Sequence, residues 1–492
     1  MLRRRLDRRT FLRSAAMLGG ATVLAACGAT PTPQVVEKVI TQVVKETSVV
    51  EVTKVVAGTP EVIKETVVVE KQVTAAPAPQ QPVTIRHGWW IPGDMEWAKV
   101  MDRVAKKFME NNPDIKVQIE SSGWSDYWQR VQVQMAGGEG MDVMWMSGAY
   151  FANLMGKKGI LELTPYVQRD NFDYSLYITQ DDFFPDGKTW TMPYTGWGGQ
   201  LITYNMNAFD EAGVAYPTNE WTWDDWAAAA QTLTKRTGDK VSQWGMWIQT
   251  GAEYGWLHYM RAQGGNWINS DHTKTTMDDP KCIAGIQWIL DFMFKSKVSP
   301  NKTEQGSISQ AGVTDPFYSG LTAMASEQEL ALDKLKTEGL PKDKNVKPQV
   351  VLFPTPKKGD KRWYNGNTNP NTIWSGSKNK EAAWKWILNL AGRDAMAALM
   401  ATAGYPLTSV YKPLNEDDKI GFLKPVPGVE WLDLKTIVEA TKYWTGLDFH
   451  RKWMDWESAL EAEMDYAWLG ERGAEEVCKR ATAAGDQVLQ SA

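Results

Sequence analysis

The 492-residue chain holds 25 tryptophans against 13 phenylalanines, an excess that implies a task besides packing. Each indole offers a flat apolar face and one N–H donor, a pair of features suited to stacking on a small polar molecule. Other chemistry is poorly supplied. The sequence contains no Gly-x-Ser-x-Gly elbow, no His-Glu-x-x-His, no Gly-x-x-x-x-Gly-Lys phosphate loop and no Cys-x-x-Cys. Gly137-Gly138-Glu139-Gly140 follows a helical pattern and precedes a strand, the wrong order for a dinucleotide loop. Three cysteines and four scattered histidines leave little for a zinc site or a disulfide scaffold, and no metal or cofactor is expected. Cys282 and Cys478 are open to pairing or to staying free thiols. A secreted glycoside hydrolase is the competing class, since it needs two carboxylates about 5–10 Å apart and acids are plentiful. The tempting Asn219-Glu220 before Trp221 precedes a capped helix and reads as a surface turn.

The ends of the chain carry different charge. Residues 1–26 hold six arginines and one aspartate, so residues 27–492 keep 48 basic and 58 acidic side chains, a net −10. An acidic body argues against nucleic acid and against anionic membrane surfaces as partners. Within the basic start, Arg8-Arg9-Thr10-Phe11-Leu12 resembles a twin-arginine export signal. An apolar run of 13 residues, Ser14 to Ala26, is too short to span a bilayer and suits a signal-peptide core. Leu24-Ala25-Ala26-Cys27 resembles a lipobox, in which cleavage leaves an acylated Cys27 as the new N-terminus. Residues 1–26 are therefore expected to be a signal peptide, and the membrane to be touched only through the lipid on Cys27.

Residues 27–82 follow as a flexible tether. From Gly28 to Pro82 there is no aromatic residue, and Val-Val or Val-Ile pairs recur beside Lys and Glu, as in Val43-Val44-Lys45-Glu46 and Val62-Ile63-Lys64-Glu65. Such a segment buries too little surface to offset its ordering entropy. Its β-branched residues disfavour helix, so a mostly extended spacer is predicted.

From Val83 onward strands and helices alternate. Val83–His87, Ile115–Ile119 and Asp142–Met146 read as strands. Helical spacing fills Met95–Glu110, Ser125–Met135 and the stretch near Tyr150–Lys157. Alternation at this spacing implies right-handed crossovers and a parallel sheet, whose ligands bind beyond the carboxyl ends of the strands. Those ends read Gly88-Trp89-Trp90, Ser121-Ser122-Gly123-Trp124 and Ser147-Gly148-Ala149-Tyr150, each with an aromatic among small residues. Thr222-Trp223-Asp224-Asp225 resembles a capping box that opens a helix to about Arg236, and Glu381–Leu390 is amphipathic. Trp363–Asn371 reads as an Asn-rich loop.

Several stretches together resemble family 1 extracellular solute-binding proteins, the sugar-binding components of ABC importers, akin to maltodextrin-binding and glycerol-phosphate-binding proteins. They include Phe108-Met109-Glu110-Asn111-Asn112-Pro113, Asp142-Val143-Met144-Trp145, Asp186-Gly187-Lys188-Thr189-Trp190, Phe209-Asp210-Glu211-Ala212-Gly213, Gln263-Gly264-Gly265 and Ala323-Met324. The resemblance runs from Phe108 to Trp384 in family order. It implies an α/β, two-lobed periplasmic-binding-protein fold of type II with a hinge between lobes. Lobe 1 would be 83–195 plus 352–404, and lobe 2 would be 196–351 plus 405–492. It further implies a monomer that captures a carbohydrate in the cleft and delivers it to ABC transporter permease subunits, not an enzyme. Stacking platforms are expected at Trp89, Trp90, Trp124, Tyr194, Trp197, Trp256 and Tyr405, and hydroxyl partners at Asp94, Ser147, Glu327 and Asn367. Family position supports Ser147, Trp256, Glu327 and Tyr405. Trp288, Trp384, Trp386 and Trp468 fall in helical patterns and are assigned to the core. A glycerol phosphodiester is the alternative ligand, but no Arg or Lys cluster marks a phosphate subsite.

Overall fold

The computed structural model describes residues 41–56, 59–74, 81–93, 95–179, 183–198, 201–327, 335, 340, 344–402 and 408–491. Residues 1–40, with the export signal and Cys27, lie outside them, as do Asp94 and Tyr405. The chain divides into two units between Gln80 and Gln81. In the first, β1 (Thr41–Val56) and β2 (Thr59–Thr74) form an antiparallel hairpin. The segment is extended as expected, and its two strands pair with each other. The cause is register: Lys45 lies opposite Glu70, Glu51 opposite Lys64 and Lys54 opposite Glu61. Opposite charges directly across an antiparallel pair add a few tenths of a kcal/mol each, about 0.2–1. Lys64 and Glu51 approach to 3.4 Å.

The second unit opens with β3 (Val83–Trp89), β4 (Ile115–Ser121) and β5 (Val143–Trp145), and β3 runs parallel to both others. Between and after them come α1 (Glu96–Asn111), α2 (Trp124–Ala136) and α3 (Gly148–Gly156). Val100, Met101, Val104 and Phe108 recur at helical spacing on α1 and are buried against the sheet, and Asn112-Pro113 ends the helix as predicted. β6 (Met192–Gly198) and β7 (Leu201–Asn205) lead away. A first core gathers Ile85, Phe108, Val143, Met192 and Tyr194 with Trp384, Trp386 and Ile387.

A second core forms around an antiparallel sheet. In chain order its elements are α4 (Trp223–Leu233), the small hairpin β8 (Lys235–Thr237) with β9 (Lys240–Gln243), α5 (Pro280–Leu290), β10 (Met324–Glu327) and β11 (Pro348–Leu352). β7 sits between β10 and β11. The capping box is present, with the Thr222 side chain accepting from the Asp225 N–H and the Asp225 carboxylate accepting from the Thr222 N–H. The helix stops at Leu233, not Arg236, because the chain turns straight into β8. α6 (Lys380–Ala391) belongs to the first core, whereas α7 (Trp453–Trp468) and α8 (Ala474–Gln490) pack together in the second. Cys282 on α5 and Cys478 on α8 are buried free thiols.

Two antiparallel strands carry the chain between the cores. β6 leaves the first core at Tyr194 and reaches the second at Leu201 of β7. β12 (Tyr364–Ile373) returns, beginning with Tyr364 in the second core and ending with Ile373 in the first. The Asn-rich stretch is thus a strand and not a loop, a correction with a clear cause. Asparagines of the stretch find partners far away in the chain: Asn371 Oδ1 lies 3.2 Å from His87 Nε2, whose Nδ1 accepts from Trp386 Nε1 at 3.1 Å, and Asn365 Nδ2 donates to the Glu253 carbonyl at 2.9 Å. Pro370 sits at the register shift between Asn369 and Asn371, where a missing N–H is tolerated. The short β13 (Trp444–Thr445) pairs parallel with the start of β12. There Trp444 lies so close over Gly366 that a Cβ would meet its ring at 2.4 Å.

Candidate functional site

The carboxyl ends of β3, β4 and β5 bring five aromatic rings together. Trp90 follows β3, Trp124 opens α2 after β4, Trp128 lies one turn further on, Trp145 ends β5, and Tyr150 is in the first turn of α3. Trp90 and Trp124 meet edge to face at 5.4 Å, Trp90 and Trp145 at 5.4 Å, and Trp124 and Tyr150 at 6.1 Å. Tyr150 stacks flat on Trp128, with centroids 3.7 Å apart and planes within 2°. Trp128 and Trp145 are buried and act as the backing, while Trp124 is 43% exposed and Trp90 and Tyr150 are half-buried. The exposed faces therefore form an aromatic wall held rigid from behind.

α3 lies where the two cores meet. Ala149 belongs to the second core, Phe151 to the first, and Tyr150 packs against both. Gly148 allows this junction, because a Cβ there would stand 2.1 Å from the Phe449 ring. Ser147 is buried at the N-cap of α3.

An acidic group lies in the neighbourhood of Tyr150. Glu253 lies in a short π-helical turn, Ala252–Trp256; burial first, and the Glu253 charge second, raise the Tyr150 pKa. Glu457 and Glu461, one turn apart on α7, complete the group. Glu461 accepts from the Ala252 N–H at 3.0 Å and Glu457 accepts from Trp453 Nε1 at 3.1 Å. Burial, then Glu253 and Glu461, push the Glu457 carboxyl up to about 8. Among the described residues no group of three or more His, Cys, Asp or Glu is placed to hold a metal ion.

A separate cavity of about 430 Å³ lies beside Gly264 and Gly265, lined by Arg261, Asn266, Trp363, Trp444 and Asp448. Its polar groups are paired with each other: Arg261 donates to Asp448 at 2.7 Å and lies over the Trp267 ring at 4.1 Å.

The sequence-predicted residues separate into three sets. Trp90, Trp124 and Ser147 come together at the strand ends. Trp89, Tyr194 and Trp256 do not present a face: they are 2%, 2% and 0% exposed and sit within the cores, so they are corrected to packing residues. Trp89 fills the space between Trp145 and Tyr194, at 6.4 and 5.7 Å. Trp197, Glu327 and Asn367 lie on β6, β10 and β12, and Asn367 pairs in register with Trp197. Sequence reasoning missed Trp128, Trp145, Glu253, Glu457 and Glu461. Tyr150 stood in a strand-end motif, and that motif was the signal. The glutamates carried none, because Glu253 is two hundred residues from Glu457 in the chain. Among the described residues ten tryptophans are fully buried, including Trp226, Trp384, Trp386 and Trp468, so much of the tryptophan excess is core after all. Trp288 is half-buried and packs on the second core.

Two cores bridged by antiparallel strands, with an aromatic wall at their junction, define a two-lobed binding protein. Residues 96–397 match the model of the bacterial extracellular solute-binding protein family, and the chain belongs to that family. Among curated relatives, a putative binding protein of Brucella abortus is 24% identical over 322 residues, 64% of this chain and 73% of that protein. The sn-glycerol-3-phosphate-binding periplasmic protein of Escherichia coli is 24% identical over 260 residues, 50% of this chain and 57% of that one. Among solved structures, an ABC substrate-binding protein from Listeria monocytogenes in complex with cycloalternan superposes with a TM-score of 0.68 at 24% identity. It covers 83% of this chain and 98% of that one. The cyclic alpha-maltosyl-1,6-maltose binding protein of Arthrobacter globiformis gives 0.67 at 17% identity, covering 83% and 99%. Among the described residues no helix is long and apolar enough to cross a membrane.

Proposed function

We propose that this protein captures a carbohydrate between its lobes and hands it to the permease of an ABC importer. The observation that carries the reading is the wall of Trp90, Trp124 and Tyr150 at the ends of three parallel strands, held from behind by Trp128 and Trp145. Sugar rings offer apolar C–H faces to such rings, and polar groups at the junction meet the hydroxyls. Relatives that bind oligosaccharides share the fold. A glycerol phosphodiester is disfavoured, because Arg261, the basic residue lining the cavity beside Gly264, is engaged by Asp448. The protein binds without cleaving. A thermal-shift screen over neutral, amino and oligomeric sugars, followed by calorimetry, tests the reading. At least one sugar should raise the melting temperature and change tryptophan fluorescence, with no cleavage products. A protein that responds to no sugar, or that hydrolyses one, would overturn it.

The body is a monomer tethered outside the cytoplasmic membrane. Arg8-Arg9 and Leu24-Ala25-Ala26-Cys27 support twin-arginine export followed by lipidation of Cys27. The residues between Cys27 and Gln81 space the body from the lipid. Cys27→Ser should release soluble or unprocessed protein, and unchanged membrane fractionation would refute the anchor.

A further inference from the structure

We propose that the tether is an interaction surface: the β1 edge of its hairpin pairs antiparallel with the β1 edge of a second copy of this chain, about a two-fold axis at Ser48. The hairpin is a sheet of two strands, and among the described residues neither of its outer edges meets a further strand. Each strand is 16 residues long. A two-stranded hairpin by itself is marginally stable in water, and a third strand is what secures such a sheet. A long open edge is also a template for another strand, because its outward N–H and C=O groups are unpaired. The two edges are unequal. β2 carries Pro60, which gives no N–H to a ladder, whereas β1 has no proline.

The charge pattern of β1 selects both the occupant and the register. A two-fold axis sets every contact in place twice, so a strand that answers its own charges gains doubly from a second copy. With Ser48 opposite Ser48, the ladder runs from Thr41 opposite Val55 to the same pair at its other end and uses almost the whole strand. Lys45 then falls opposite Glu51 of the second copy, and Glu51 opposite its Lys45. The other charged positions, Glu46 and Lys54, fall opposite Val50 and Gln42, so like charges never meet. Registers that centre on Lys45 or Glu51 put like charges on the axis. The register centred on Val50 pairs Glu46 with Lys54, but it shortens the ladder and leaves Lys45 and Glu51 opposite valines.

The match continues into β2. Within one hairpin Lys45 lies opposite Glu70 and Glu51 opposite Lys64. Across the four strands the row therefore reads Glu70, Lys45, Glu51, Lys64, with the sign alternating at every step. The neighbouring row places Val44 opposite Val52, and Val52 lies opposite Ile63 within its own hairpin. Opposite charges and β-branched residues set directly across from each other favour strand pairing. Lysines on an edge ordinarily discourage a neighbouring strand, and here they admit a strand that meets them with glutamate. The contact lies wholly in the tether, so the body itself stays a monomer.

The test uses the full chain, purified from membranes in density-matched detergent. Sedimentation at micromolar concentration should show a monomer–dimer equilibrium, and a chain that stays monomeric overturns the proposal. Lys45→Glu turns both ladder pairs into like charges and should weaken dimerisation about tenfold or more. Exchanging every sign in the row, with Lys45→Glu, Glu51→Lys, Lys64→Glu and Glu70→Lys together, should restore it, because each pair within and between hairpins is again opposite. Cysteine cross-linking reads the register. Ser48→Cys should join two copies under mild oxidation, above the wild-type background, while Val52→Cys, about 26 Å from its counterpart in this register, should not. Thermal unfolding of the body should be the same in every variant. Dimers that Lys45→Glu leaves intact, that the fourfold exchange fails to restore, or that Val52→Cys joins as readily as Ser48→Cys, overturn the proposal.

Discussion

Tyr150 lies flat on Trp128, ring centroids 3.7 Å apart and planes within 2°, although the two residues come from different helices. The stack ties the first turn of α3 to α2, and α3 is the element at which both cores meet. A ring fixed on one face by another ring has lost its rotational freedom before ligand arrives, so binding orders less.

Trp124 is the aromatic of this wall that solvent reaches most. Because it is 43% exposed, Trp124→Ala should cost about 2 kcal/mol in sugar affinity while moving the melting temperature of the free protein by no more than a degree or two. Calorimetry gives the first number and thermal unfolding the second. Unaltered affinity would remove Trp124 from the site.

Trp256 should behave in the opposite way. It is fully buried in the second core, so Trp256→Ala opens a cavity and should destabilise the fold by about 3–5 kcal/mol. Chemical denaturation measures this. A variant that is fully stable yet fails to bind would return Trp256 to the ligand.

Three buried histidines set the acid limit. Burial holds His87 and His258 down to about 3 and His450 to about 4, all below the ordinary value of 6.5. The unfolded chain therefore binds more protons between pH 6.5 and about 3. Stability is fully present above 6.5 and falls as the pH drops through that window. Melting curves from pH 7 to 4 should show the decline. His87→Asn should lessen the slope if the variant keeps the Trp386 and Asn371 contacts.

Glu457 acts on the other side of neutrality. Its folded pKa is raised to about 8, so the folded state holds the extra proton. The stabilising effect is complete below the unfolded pKa near 4.5 and is lost as the pH rises through about 8. Between pH 6.5 and 8 these three histidines contribute no slope, so a fall in melting temperature there belongs to Glu457. Glu457→Gln should flatten that limb. An equally steep limb in the variant would place the titration elsewhere.

Cys282 and Cys478 should be unreactive while the protein is folded. Both are buried, and burial pushes the Cys282 thiol up to about 12 and the Cys478 thiol further in the same direction. Maleimide should label neither thiol in buffer and both in denaturant, read by mass. Labelling of the folded protein at either position would show that the α5–α8 packing opens.

How far the molecule can be read from its sequence depends on the range of the interactions. The strands Val83–Trp89 and Ile115–Ser121, the helix from Glu96 and the capping box at Thr222 were legible because hydrophobic period and capping chemistry act within a few residues. The same logic located Trp90, Trp124 and Ser147 at the ends of the parallel strands, where the structure brings them together. The Asn-rich stretch from Tyr364 misled, because its asparagines meet their partners at His87 and Glu253, far away in the chain. The valine-rich segment is extended as its composition suggests, but its hairpin register is announced by no local pattern. Whether a tryptophan is a platform or a core residue was also beyond the sequence. Trp89 and Trp90 are adjacent and point to opposite sides of the strand, so one is sealed beneath Trp145 and Tyr194 while the other reaches the wall. The glutamates were decided by tertiary structure alone: only the packing of α7 beside the π-helical turn sets Glu457 near Glu253, and only that nearness makes the carboxyl group unusual.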